Sequence, residues 1–361
     1  MELVQSAITI VIFLAMLGIL VVIHELGHFV VARMANIRVL EFGIGFPPRA
    51  KVLSSSGETL YTLNWLPIGG FVRLEGEDGE TDDPRSFARA PLITRLIVLV
   101  AGVFMNLLLA LAIFISISWL PSNSIGLQLG SIQANSPALA AGLAPGDRVI
   151  GIDGRQFDRF DDPNEMVLVL RSHAGQTIPL DVWRNDGSME RIMVTLRPPE
   201  VAVAQGALGV DIERAVESPV SFTRSPVDAV TTGAKRTGDA FRLILDGLGQ
   251  IANSIATRPT EAPPAAGPVG IAVQVGDVFW QAGPIATLYL AGILSANLAL
   301  VNILPFPPLD GGRMLMMLLK SVVGRRISLQ AERVTYLVGF GFLFAFLIWI
   351  TYFDITRLGG S

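Results

Sequence analysis

Residues 7–28 read AITIVIFLAMLGILVVIHELGH. From Ala7 to Ile23 there is no charge, and the apolar character resumes after a short polar cluster as far as Ala32. A helix needs about 20 such residues to cross the hydrocarbon core of a bilayer. The stretch therefore reads as a membrane span. At its end stand His24, Glu25 and His28. On a helix, residues i and i+4 share a face, so both imidazoles can reach one zinc ion. Glu25 then serves as a general base on water at the metal. Ionisable groups placed at the end of an apolar span are costly and are functional by default. The plainer reading is a polar cap on the helix at the interface, for which one polar residue would suffice.

The rest of the chain supports a membrane setting. Hydrophobic residues make up 51% of the 361 and charged residues only 16%, against about 25% charged in a typical soluble domain. Mean hydropathy is +0.54. Disorder is excluded, and a single soluble enzyme is disfavoured. The net charge of −4 gives no sign of a nucleic-acid partner. The chain has no cysteine, which excludes disulfides, thiolate metal sites and cysteine nucleophiles.

Three further uncharged stretches run over Leu96–Leu120, Gln281–Leu309 and Val334–Phe353. The alternative for each is a buried core helix, but soluble helices seldom run so far without charge. The first stretch is not read as a signal peptide. Met1–Ile23 holds no Lys or Arg, and no small-residue cleavage site follows. Basic residues cluster at Arg33, Arg38, Arg49, Lys51, Arg73, Arg85, Arg89 and Arg95, and again at Lys320, Arg325, Arg326 and Arg333. The positive-inside rule puts both loops in the cytoplasm and both termini outside. Residues 121–280 are then extracytoplasmic.

Within that insert, Gln176–Trp183 and Arg191–Leu196 have strand character, with a turn at Asn185-Asp186-Gly187. The run from Asn135 to Gly154, with its Gly146-Asp147 turn and terminal Asp153-Gly154, resembles the PDZ domain pattern, and Asp162–Arg171 fits its second helix. PDZ domains bind extended peptides by adding a strand to a sheet edge. Ala207-Leu208-Gly209-Val210 is a weaker match to the carboxylate-binding loop. His173 reads as an ordinary surface or groove residue. Residues 217–257 carry apolar residues at helical spacing. They suit either a helix lying on the outer membrane surface or one packed on the PDZ-like module. Residues 258–268 are rich in proline and read as a linker. The organisation expected is thus 1–120, one half of a membrane core; 121–212, a PDZ module; 213–280, amphipathic helix and linker; and 281–361, the second half.

A hydrolytic zinc site usually has three protein ligands and one open position. The topology places His173 outside, so the third ligand should be a carboxylate. Asp310 is the strongest candidate. It lies in NILPFPPLDGG, residues 302–312, at the same end of the third span as the histidine pair occupies in the first. The prolines break the helix there, and irregular backbone at membrane depth is tolerated only around a cavity or buried in protein. A charge marking the end of a span is the simpler reading of Asp310. Glu41 and Glu58 are rival ligands in the cytoplasmic loop.

These features together resemble the site-2 protease family of intramembrane zinc metalloproteases, in its bacterial RseP branch. They are HELGH in the first span, the PDZ-like insert after the second, and Asn302-x-x-Pro305-x-x-Pro308-Leu309-Asp310-Gly311-Gly312. Gly102-x-x-x-Asn106 matches another pattern of that family. Leu63–Leu74, with Asn64, Gly69 and Gly70, looks like its re-entrant β-hairpin, and Gly267–Ile271 matches a family sequence before the third span. Some members carry tandem PDZ domains, and this chain has room for one.

The resemblance implies a polytopic α-helical protein of four spans with a re-entrant hairpin and an inserted PDZ domain, in the bacterial cytoplasmic membrane. It implies one zinc ion held by His24, His28 and Asp310, with Glu25 as base. Asn302 would hydrogen-bond the substrate backbone, or else bond a neighbouring helix. The hairpin would pair with the unwound substrate. Gly102, Asn106 and Pro305 would shape the site. Expected partners are membrane-spanning protein substrates, among them anti-sigma factors and signal-peptide remnants, a peptide ligand of the PDZ module, and the bilayer. Cleavage is expected near the cytoplasmic side, with the PDZ module as a size filter. Two other classes fit less well. A scaffold would keep a vestigial HELGH. A metal transporter needs a polar path that 96–120 and 334–353 do not offer.

Overall fold

The computed structural model describes residues 2–55, 57–77, 81–258, 261–323 and 329–359. The chain divides into two compact units, Met1–Ser118 with Ala229–Ser361, and Trp119–Asp228.

The first unit opens with helix α1 (Glu2–Met34), which carries the quoted stretch. Strands β1 (Val39–Ser54) and β2 (Leu60–Leu74) follow, and then helix α2 (Leu92–Trp119). The strands pair antiparallel with an unusual register. Glu41–Ile44 has partners both in Leu60–Leu63 and in Gly70–Arg73. The expected hairpin at Leu63–Leu74 is therefore corrected. That stretch is part of one strand whose two ends flank β1, and the sheet extends over 39–74. The pairing joins separate stretches of the chain, and no pattern within 61–74 encodes it.

Strand β3 (Ser122–Ile132) begins the second unit. It continues through α3 (Pro137–Ala140), β4 (Arg148–Ile152), β5 (Arg155–Gln156), α4 (Pro163–Ser172), β6 (Thr177–Trp183), β7 (Met189–Thr195), α5 (Pro199–Gln205) and β8 (Val210–Phe222). The sheet runs β7-β6-β4-β3-β8, with β5 beside β4. Its core includes Phe157, Met166, Leu180 and Val182. Asp162 caps α4, accepting from the backbone N–H of Asn164 at 2.9 Å, where a short polar side chain satisfies an otherwise orphaned donor. The boundary expected at 212 falls inside β8. Burial of Ser218 and pairing of Ser122 with Phe222 carry the sheet to 222.

Helix α6 (Pro226–Thr257) returns to the first unit, followed by α7 (Pro268–Ala282), α8 (Pro284–Asn302), α9 (Asp310–Val323) and α10 (Leu329–Gly359). Among the described residues, four helices are long and apolar enough to cross a membrane: Leu3–Met34, Leu92–Trp119, Pro284–Asn302 and Gln330–Leu358. The third is shorter than the uncharged run that announced it, since it stops at the proline-rich stretch. Neither expectation for 217–257 describes α6 fully. Its small residues Ala229, Gly233 and Ala240 are turned inward. Gly233 lies against Ile115 of α2, and Ala240 shares a core with Ala110, Phe114 and Ala296. Small side chains let helix backbones approach closely, which gains dispersion contacts. The linker expected over 258–268 gives way at Pro268 to α7. Asp354 of α10 accepts from the backbone N–H groups of Gly267 and Gly270, at 3.1 and 2.8 Å. These are orphan donors at the start of α7.

Candidate active site

Two elements distant in sequence converge on one point. α1 supplies His24 and His28, one turn apart and both buried. Nε2 of His24 lies 3.1 Å from Nε2 of His28. Oδ2 of Asp310, at the first position of α9, lies 3.0 Å from the first and 3.3 Å from the second. Glu25 places a carboxylate oxygen beside the histidine pair, the ligand atoms of His24, Glu25 and His28 all falling within 4.8 Å of one another. Glu41 and Glu58 are engaged elsewhere. Glu41 is held by Arg49, Thr62 and Arg73, and Glu58 by Arg85. His173 bonds the carbonyl of Val169 within its own unit.

Close approach of α1 and α2 depends on two glycines. A Cβ at Gly27 would collide with the carbonyl of Ala101, and one at Gly102 would collide with both imidazoles. One turn further along α2, Asn106 is fully buried, with Nδ2 3.3 Å from Nδ1 of His24. Ser295 of α8 donates to the backbone carbonyl of Asn106 at 2.7 Å. Nδ1–H of His28 donates to the carbonyl of Val98 at 2.8 Å, which leaves its Nε2 lone pair directed at the cluster.

Asp310 arrives through the loop that Pro305 opens. Pro305 is exposed and lies between the end of α8 at Asn302 and the start of α9. The loop folds so tightly that a Cβ at Gly311 would overlap the carbonyls of Ile303 and Leu304. Burial alone would raise the carboxyl of Asp310, but whenever the facing imidazoles carry a proton on Nε2 their hydrogen bonds outweigh that and hold it below the ordinary carboxylate range. Nδ2 of Asn302 lies 3.5 Å from Nε2 of His24.

A cavity of about 890 Å³ opens beside the cluster, lined by Glu25, His28, Gly70, Phe71, Asp310 and Arg313 among others. Of the β2 residues singled out from the sequence, Gly70 comes to this place, where a Cβ would stand 3.9 Å from Glu25 Cγ. Gly69 packs on Val21 and Phe46. Asn64 donates to the carbonyl of Gly45 at 3.0 Å and so joins the strands to each other. Leu63 pairs with Ile44 and Lys51 and is half-exposed, away from the cavity lining. One pair was missed from the sequence. Arg313, a turn beyond Asp310, donates to Glu77 at 2.5 Å, and Glu77 also accepts from the N–H of Leu74. Its spacing from Asp310 was the available signal; Glu77 had none.

The donor triangle suits zinc. Bonds of about 2.0–2.1 Å in tetrahedral geometry put neighbouring ligand atoms about 3.3 Å apart. The sides found here are 3.0, 3.1 and 3.3 Å. Two imidazoles and a carboxylate are also a hydrolytic donor set.

The model of peptidase family M50 matches residues 12–346. The chain belongs to this family, that of the site-2 proteases. Relatives bear out the match over nearly their whole length. Zinc metalloprotease RasP of Geobacillus kaustophilus is 30% identical, covering 98% of this chain and 99% of its own. Putative zinc metalloprotease CPE1693 of Clostridium perfringens is 34% identical over 93% and 95%. Putative zinc metalloprotease CA_C1796 of Clostridium acetobutylicum is 30% identical over 97% and 98%. This M50 peptidase is accordingly a metalloprotease and a multi-pass membrane protein, as its motifs led one to expect.

Proposed function

We propose that this M50 peptidase hydrolyses membrane-spanning segments of single-span proteins, using one zinc ion held by His24, His28 and Asp310. The observation that carries the reading is the triangle of donor atoms at the end of an apolar helix, with Glu25 beside it and a cavity in front. Zinc held there supplies Lewis acidity toward a peptide carbonyl and a water molecule. Glu25 takes the proton from the attacking water and passes it to the leaving amine. Asn302, beside His24, is placed to hydrogen-bond the substrate backbone near the scissile bond. A substrate helix must first unwind, since its carbonyls are bonded internally. The end of β2 at Gly70–Leu74 borders the cavity and offers the freed strand backbone partners by β-augmentation.

The second unit is proposed as a single PDZ module. β8 is an edge strand that follows directly on Ala207-Leu208-Gly209-Val210, the arrangement a peptide ligand needs. Both termini and this module are assigned to the extracytoplasmic side of a bacterial inner membrane, with the active site near the cytoplasm. Substrates of the expected kind are anti-sigma factors and signal-peptide remnants.

Glu25→Gln tests the reading. The variant should keep its zinc while losing cleavage by about 10²–10⁴-fold, and span-containing proteins should accumulate in cells that carry it. A variant that still cleaves at the wild-type rate would refute the assignment.

A further inference from the structure

The two histidines of the cluster are supported differently. Nδ1–H of His28 has a carbonyl acceptor, that of Val98. Nδ1 of His24 faces the side-chain amide of Asn106, whose nitrogen stands 3.3 Å away. Oδ1 of the same amide is buried without a hydrogen-bond partner. A neutral imidazole that ligates a metal through Nε2 carries its proton on Nδ1, and that N–H requires an acceptor. Exchange of the two ends of the amide, a half-turn about its terminal bond, puts Oδ1 where the acceptor is needed. It also gives the orphaned oxygen a partner. With Nδ1 protonated the unexchanged amide would set one N–H against another, so the exchange is favoured once Nδ1 bears the proton.

We propose that Asn106 is the positioning residue for His24. Its amide oxygen accepts from Nδ1–H, selects the tautomer with a free Nε2, and fixes the plane of the ring toward the metal. Gly102 leaves room for both rings, and Asn106, one turn on, orients one of them. The bond from Ser295 to the carbonyl of Asn106 anchors this turn of α2 to α8. On this reading Asn106 does more than pack α2 against the site.

The inference rests on the ligand assignment above, and the experiment separates the two. Zinc affinity of the purified full-length protein is measured by chelator competition in wild type, His24→Ala, Asn106→Leu and Asn106→Asp. Asn106→Leu keeps the branching at Cγ but has no acceptor, and should bind zinc about 10–100-fold more weakly. Asn106→Asp retains an acceptor and should bind at least as tightly as wild type. Affinity in Asn106→Leu equal to wild type would overturn the proposal, as would an equal loss in Asn106→Asp. If the aspartate does not fold, the near-isosteric pair Asn106→Thr and Asn106→Val provides the same contrast of acceptor against none. Unchanged affinity in His24→Ala would mean instead that the ligand assignment fails.

Discussion

Nε2 of His24 and Oδ2 of Asp310 lie 3.0 Å apart although 286 positions separate them in the chain. One belongs to the end of an apolar helix and the other to the start of an amphipathic one. Neither helix alone holds a complete donor set.

Removal of the carboxylate should break that set. Asp310→Ala is expected to lower zinc affinity by more than the about 10–100-fold that outer-shell partners cost, and to abolish cleavage. Zinc content by atomic emission, measured beside wild type, checks this. Full zinc content with intact cleavage would exclude Asp310 as a ligand.

Gly102→Ala offers a steric test with a sign. Alanine ordinarily stabilises a helix interior by about 0.5–1 kcal/mol relative to glycine. At Gly102 the added methyl meets both imidazoles. Overpacking of this kind costs about 1–3 kcal/mol, so the melting temperature and the zinc affinity should both fall. Gly238→Ala, in open space on α6, should instead leave the melting temperature unchanged or raise it.

Glu77 and Arg313 link the end of β2 to α9 across the cavity that holds Glu25. The pair is half-buried, so its worth lies between that of exposed and fully buried bridges. Arg313→Met should cost about 1–2 kcal/mol in stability. Because Leu74 N–H bonds Glu77, release of the pair should also loosen the strand end that borders the cavity. A double-mutant cycle with Glu77→Gln, read as KM and kcat on a spanning substrate, should show coupling between the two sites. Strictly additive effects would exclude the link.

The second unit begins and ends on paired strands. Ser122 faces Phe222, and Asn123 faces Ser221, so its ends are adjacent and a short Gly/Ser linker can replace 122–222. If this unit is a size filter, the shortened protein should cleave substrates that still carry a bulky outer domain. Cleavage confined to trimmed substrates would refute the filter.

Much of the site was legible locally. The His24/His28 pair with Glu25 follows from helical periodicity alone, because i and i+4 share a face whatever the rest of the chain does. The four apolar helices were equally legible, since a bilayer imposes length and lack of charge on any span. The ends of elements were less so. The uncharged run to Leu309 concealed the stop at Asn302, because hydropathy does not register loss of helical hydrogen bonding. The extent of the sheet over 39–74 was hidden for a different reason. Its register joins Glu41–Ile44 to two separate stretches of β2, and no pattern within a strand encodes which partner it meets.

The amino-acid sequence by itself thus determined the apolar helices and the shared face of the two histidines with their glutamate, and it pointed to Asp310 as the carboxylate beside them. Only the tertiary structure decided that Asp310 reaches both imidazoles while Glu41 and Glu58 are bound elsewhere. It alone placed Asn106 against His24, Arg313 against Glu77, and α6 on α2. Local periodicity is a property of the covalent chain. Contacts between distant elements arise from close packing, where a missing Cβ or a tight proline loop settles which groups meet.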